Sequence, residues 1–233
     1  MVAKARSLEP RKYTISNLKE KHYMKLLDAL SWRYATKRMN GQKVPSEKLD
    51  TILEAIRLSA SSFGLQPYRV IVVDDPALKA KIHESACQQP QIVEGSHVLV
   101  FASWKNITND HVDSYMSLIS KERNMPIEQL AQFDEMLKGF IASKPQELLA
   151  SWAARQAYIG LGFGLTAAAL EQVDATPMEG FNPAEMDKVL GLEEKNLQSV
   201  ALLTLGYRDT ANDYLANQKK VRLSKDEFFV HNR

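Results

Sequence analysis

The chain has 233 residues, 45% of them hydrophobic and 25% charged, which fits one substantial folded domain and excludes a chain disordered over most of its length. Its 30 Lys and Arg against 28 Asp and Glu leave a formal charge of +2, too small to mark a nucleic-acid or membrane partner. The single cysteine, Cys87, excludes an internal disulfide and reads as a small buried hydrophobe, and the five histidines show no metal-ligand spacing.

Residues 1–12 are polar and basic and read as a loose tail without the apolar segment of a secretory signal. No apolar stretch reaches bilayer-spanning length, so the cytoplasm is the expected compartment. From about residue 16 to 32, Leu18, Met24, Leu26, Leu27 and Leu30 suit a helix, and residues 1–30 are read as an extension and first helix ahead of one domain over 31–233. After Pro45, the segment from Ser46 places Leu49, Ile52, Leu53 and Ile56 on one helical face. Residues 59–67 break that helix, and 68–73 (YRVIVV) form a buried strand. Asp75-Pro76 caps a helix to about Cys87, and 97–103 (HVLVFAS) is a second strand. Helix follows over about 108–144, broken near Met125-Pro126, and a long helix runs from Pro145 to about Leu170. Pro177 to Phe181 (PMEGF) reads as a turn between helices, and Asn182-Pro183 caps a short helix ending at Gly191. Residues 199–207 (SVALLTLGY) give a third strand, and Phe228-Phe229-Val230 suggests a last one. Helices outnumber strands without βα alternation, which predicts an α+β sandwich rather than a doubly wound sheet.

Five segments could carry chemistry. Arg33 and Lys37 are four apart, so a helical turn would set both cations on one face, as a phosphate needs; the plain alternative is a charged helix end. Lys220 and Arg222, two apart on an extended chain, form a second such pair, or a basic tail. The loop from Ser59 to Tyr68 (SASSFGLQPY) offers hydroxyl and amide partners to a polar ring, or is a connector. In PMEGF, Gly180 permits unusual dihedrals and close approach of a planar ligand. Gly160-Leu161-Gly162-Phe163-Gly164 lies inside a helix with no strand before it, so it reads as close helix packing rather than a dinucleotide fingerprint.

The order RYATKR, SASSFGLQPY before a strand, a long glycine-containing helix, PMEGF, a strand ending in GY, and KVR resembles the nitroreductase family of FMN flavoproteins. Within that family it is most similar to the oxygen-insensitive NAD(P)H nitroreductase and dihydropteridine-reductase-like branch. The resemblance covers residues 30–224. It implies a nitroreductase-like fold with a central, mostly antiparallel sheet flanked by helices, in an intertwined homodimer with FMN at the interface.

By the same resemblance, Arg33 contacts the FMN phosphate or ribityl chain, with Tyr34 and Ala35 beside it, and Lys37 reaches the flavin N1/O2 edge. Lys220 and Arg222 hold the phosphate. Pro177, Met178, Glu179 and Gly180 form the turn whose backbone N–H, at Glu179 or Gly180, faces flavin N5. Ser61, Ser62, Gly64 and Gln66 lie in a loop that relatives supply from the other subunit. Phe140 is the candidate cover over the flavin and its substrate. NAD(P)H is the implied donor and a nitroaromatic, quinone or similar ring the acceptor, in a ping-pong cycle with no metal, nucleic acid or membrane. This chain departs from the family pattern at Ala35 (often Ser), Gly64 (commonly Asn) and Tyr68 (usually Trp). A flavin-binding protein without turnover, and a dehalogenase or dehydrogenase on the same scaffold, are the alternative readings.

Overall fold

The computed structural model describes residues 26–232; the part of the expected first helix before Leu26 lies outside them. Nine helices are present among the described residues: α1 (Leu26–Trp32), α2 (Ser46–Arg57), α3 (Pro76–Ser85), α4 (Gln91–Glu94), α5 (Asn109–Arg123), α6 (Ala131–Ala142), α7 (Gln146–Leu170), α8 (Pro183–Leu190) and α9 (Lys225–Phe228). Four strands, β1 (Tyr68–Val73), β2 (His97–Trp104), β3 (Asp174–Met178) and β4 (Leu197–Gly206), form one antiparallel sheet in the order β1-β2-β4-β3. The α+β class and the antiparallel sheet expected from the sequence are therefore present.

Local chemistry sets the element ends. The Asp75 carboxylate accepts from the Leu78 N–H at the start of α3, where Pro76 needs no partner for its missing donor. Asn182 caps α8 through Ala184 and Glu185, and Gly191 closes it in the left-handed conformation.

Every residue of β2 is buried, because helices cover both faces of the sheet. Side chains alternate along the strand. Leu99 and Phe101 pack with Ile52, Ile56 and Leu161 of α2 and α7, while Val98 and Val100 pack with Ile82, Ile92 and Met186 on the opposite face. Each such side chain contributes about 1.5–3 kcal/mol on burial. A third cluster joins α5, α6 and the start of α7 through Val112, Met116, Leu137 and Leu149. Gly160 and Gly164 of α7 serve close packing, as the sequence suggests, whereas Gly162 faces open space: a Cβ at Gly160 would lie 2.4 Å from the Tyr68 hydroxyl oxygen and one at Gly164 3.0 Å from the Ile56 side chain.

Three sequence expectations are corrected. Arg33 to Lys37 do not form a helical turn, because α1 ends at Trp32 and the chain runs on irregularly. Pro177 and Met178 are not in a turn between helices but end β3, a strand whose Asp, Thr and Pro hide it from composition. Phe228 ends the short helix α9, with Phe229 and Val230 beyond it rather than in a strand; the Ser224 and Glu227 capping box holds that helical turn. No helix among the described residues is long and apolar enough to cross a membrane.

Candidate active site

The end of α1, the loop after it, the end of β3 and the C-terminal segment enclose a cleft of about 420 Å³. Arg33, Tyr34, Ala35, Pro177, Lys220 and Arg222, far apart in sequence, all line it. Arg33 is half-buried, and its Nε is buried without a hydrogen-bond partner. Burial first, then repulsion from Arg222, lowers the Arg33 pKa, with Asp174 opposing. Burial, then Arg33 and Arg222, likewise lowers that of Lys220. Lys220 Nζ donates to the carbonyls of Leu30 and Arg33, which fixes the segment 219–222 against the end of α1. Three cations that raise one another's energy, one with an unused donor, match a phosphate dianion.

A polar frame absent from the sequence reading supports these cations. Arg208, directly after the strand's Gly206-Tyr207, also lines the cleft. Its guanidinium lies 4.3 Å from the Trp32 ring centroid and 4.6 Å from that of Tyr34. It binds the buried Asp174 carboxylate through Nε (2.9 and 3.0 Å) and Nη2 (2.6 Å), and its backbone N–H donates to the same group at 2.8 Å. Asp213, 5% exposed, accepts from Lys37 N–H (2.8 Å), Leu215 N–H (2.9 Å) and the Tyr34 hydroxyl (3.0 Å). Burial alone would raise the Asp213 pKa, but these donors outweigh it and hold the carboxyl below its usual range.

A depressed folded pKa gives stability that is present above the unfolded value, about 3.9, and is lost as pH falls through the folded one. Asp213→Asn is therefore expected to cost about 1–3 kcal/mol near pH 7 and distinctly less near pH 3. Denaturant titrations at both pH values check this; an equal loss at both would contradict the charge-dependent role.

At the end of β3 the turn is clamped from several sides. Phe181 N–H donates to Glu179 O at 2.9 Å, closing a three-residue turn on Gly180. Gly180 O accepts from Gln89 Nε2 (3.3 Å) and Cys87 Sγ (3.7 Å), and Asn182 N–H reaches Ala86 O at 2.8 Å. The backbone N–H groups of Glu179 and Gly180 have no protein partner among the described residues. Gly180 does not use the left-handed region. An added Cβ would sit 3.4 Å from Gln89 Nε2, an ordinary contact, so the protein itself leaves room at this position.

Ser61, Ser62, Gly64, Gln66 and Phe140 do not line this cleft. They gather instead at the loop between α2 and β1. Phe63, Gly64 and Gln66 have φ of +59°, +74° and +48°, a strained run held by its own hydrogen bonds. Gln66 N–H donates to Ser61 Oγ at 3.0 Å, Gln66 Nε2 to Arg57 O at 2.8 Å, and Ser62 N–H to Gln156 Oε1 at 2.8 Å. Gly64 replaces the common Asn where both backbone and space require it: its φ is positive, and a Cβ would lie 2.5 Å from the Tyr115 hydroxyl oxygen. Phe140 packs edge-on to Phe63 with ring centroids 5.2 Å apart, and against Trp152 at 5.3 Å. Tyr68, in place of the usual Trp, points into the core, where its hydroxyl pairs with Ser59 Oγ at 2.9 Å. Among the described residues no group of three or more His, Cys, Asp and Glu side chains could hold a metal.

The sequence profile of the nitroreductase family matches residues 30–207. A Staphylococcus saprophyticus relative, named as an inferred NAD(P)H nitroreductase, is 32% identical over 212 residues, spanning 87% of this chain and 94% of its own. The major NAD(P)H-flavin oxidoreductase of Aliivibrio fischeri is 32% identical over 210 residues, 84% of this chain and 94% of that one. A protein of Exiguobacterium sibiricum, crystallised in complex with FMN, shares the fold with a TM-score of 0.76 at 20% identity, covering 90% of this chain and 98% of the other. The profile match and these relatives agree, and the chain belongs to the nitroreductase family.

Proposed function

We propose that the protein is an FMN-dependent NAD(P)H oxidoreductase of nitroreductase type, and the unpartnered Arg33 Nε among three converging cations is the observation that carries this reading. The fit to FMN rests on the donor set: Arg33, Lys220 and Arg222 for the phosphate, and the free N–H groups of Glu179 and Gly180 for an acceptor atom of the ring. Bound there, FMN would supply the redox chemistry between NAD(P)H as donor and a nitroaromatic, quinone or similar acceptor in a ping-pong cycle. The residues bind, orient and balance charge. Lys37 is assigned to the N1–C2=O edge, where a fixed cation stabilises negative charge gained on reduction. The turn N–H groups are assigned to the N5 edge, and Tyr34, Ala35 and Pro177, which line the cleft, to the ring and ribityl chain, while the Met178 side chain is buried in the core. The name of the Aliivibrio fischeri relative and the FMN in the Exiguobacterium sibiricum structure support the cofactor and donor.

Two protomers complete the site. Ser61, Ser62, Gly64, Gln66 and Phe140 lie away from the cations of their own chain, so we assign them to the cleft of the partner. Midway along α7, Tyr158, Ile159 and Phe163 are 39%, 40% and 46% exposed, and with Gly162, Thr166 and Leu170 they line an apolar hollow of about 590 Å³. An apolar surface of this kind marks an interface, here between copies of this chain. Phe163→Glu is expected to convert the dimer to monomer at micromolar concentration and to release FMN. Sedimentation that finds the variant still dimeric, or the parent already monomeric, overturns the assignment. The lone buried Cys87 suits the reducing cytoplasm.

The test of function is an absorption spectrum of the purified protein, followed by anaerobic NADPH and then NADH. A yellow protein that bleaches supports the oxidoreductase. A colourless protein that cannot be reconstituted with FMN overturns it, and a yellow one that neither nucleotide bleaches favours flavin binding without this turnover.

A further inference from the structure

The turn that ends β3 carries a negative charge as well as two free N–H groups. Glu179 is exposed, and a mobile carboxylate beside a ring that gains electrons would oppose its reduction by charge repulsion. The structure restrains that carboxylate. The Tyr158 hydroxyl, projecting from α7, lies 2.5 Å from Glu179 Oε1 and 3.2 Å from Val200 O. One hydroxyl proton has two acceptors there, and the carboxylate is the nearer.

We propose that Tyr158 is a positioning residue for the redox turn: its hydroxyl tethers the Glu179 carboxylate against α7 and β4, so that the turn presents its N–H groups, and not its charge, to the flavin.

This inference rests on the flavin reading above. Burial, and then the bond to Glu179, pushes the Tyr158 hydroxyl up to about 12, so it stays a neutral donor across the working range of the enzyme. The backbone of the turn is held independently of the tether. Gln89 and Cys87 grip the Gly180 carbonyl, and Asn182 is tied to Ala86. Loss of the Tyr158 hydroxyl therefore frees the Glu179 side chain while these contacts keep the turn in place. Tyr158→Phe keeps the ring and its packing on α7 and removes the tether together with the longer contact to Val200 O, which the charge of Glu179 does not affect.

The test is a double-mutant cycle on the FMN-loaded dimer, with Tyr158→Phe and Glu179→Gln singly and together. The readouts are the flavin midpoint potential, by equilibration with reference dyes, and the FMN Kd, by flavin fluorescence. Tyr158→Phe is expected to shift the equilibrium about tenfold against the reduced flavin, about 30 mV for two electrons. In the Glu179→Gln background the same change is expected to shift it less than twofold, because no charge remains to be released. A fall of equal size in both backgrounds overturns the tether, since a merely structural defect would not depend on the charge of Glu179. So does an unchanged potential in Tyr158→Phe. Wild-type protein that cannot hold FMN overturns the flavin reading and this inference together, whereas FMN-loaded protein with additive shifts overturns this inference alone.

Discussion

Arg33→Ala is expected to raise the FMN dissociation constant by roughly 10- to 150-fold, the cost of about 1.5–3 kcal/mol for losing a hydrogen bond to a charged group. The size follows from where the side chain sits. Arg33 is half-buried, its Nε has no partner in the protein, and its fork can meet a phosphate without breaking an existing bond. Lys220 is different, because its ammonium already serves the Leu30 and Arg33 carbonyls. Arg222 is exposed and donates to its own neighbour, the Val221 carbonyl. Arg222→Ala should therefore weaken FMN less, and with a steeper dependence on salt.

The apo-protein gives a second readout of opposite character. Without the phosphate, Arg33 is repelled by Arg222 and Lys220, so its removal relieves a conflict and the apo melting temperature should hardly fall. The stabilisation conferred by added FMN should shrink, because it depends on the ratio of free ligand to Kd. Fluorescence titration and thermal melts with and without FMN measure both. Arg33→Ala protein that keeps FMN through dialysis as well as the parent would refute the phosphate role. A large fall in apo stability would mean that Arg33 serves the fold instead.

What the sequence reveals and hides follows from the range of the interactions. β2 and β4 are legible because helices bury both faces, leaving unbroken apolar runs such as HVLVFAS. β3 is not, since Asp174, Thr176 and Pro177 break any such run. Pro177 is tolerated there because β3 lies at the sheet edge, paired among the described residues only with β4. The Arg33 and Lys37 pair illustrates a reading whose geometry fails: of the two, Arg33 lines the cleft and Lys37 does not. The two cations do not share a helical face, yet Arg33 does meet Lys220, Arg222 and Pro177 across the chain. That convergence was legible only through the order of motifs in the family. The frame behind it was not: Asp174 and Arg208 are 34 positions apart, Tyr34 and Asp213 are 179 apart, and no local spacing marks either pair. The α9 turn could have been found, because Ser224 and Glu227 form a capping box that outweighs the strand preference of Phe228 and Val230.

The Asp174 and Arg208 pair carries the largest expected effect on stability. Asp174 is 2% exposed and accepts from the Arg208 backbone and guanidinium, while two aromatic rings flank that guanidinium. Asp174→Ala leaves a cation in a confined site that already holds Arg33, Lys220 and Arg222. Breaking a buried pair from one side costs about 3–5 kcal/mol. For a chain of this size that lowers the apo melting temperature by roughly 6–20 °C. The cost arises from the orphaned charge rather than from a lost attraction, and the two accounts differ in a second variant. Arg208→Met in the Asp174→Ala background removes the orphan and keeps an apolar side chain between Trp32 and Tyr34. It is expected to recover more than half of the loss. A double variant that melts lower than Asp174→Ala alone would show that Arg208 holds the cleft together through its rings and not through its carboxylate. FMN should also rescue Asp174→Ala more than it stabilises the parent, because its phosphate supplies the negative charge that the variant lacks.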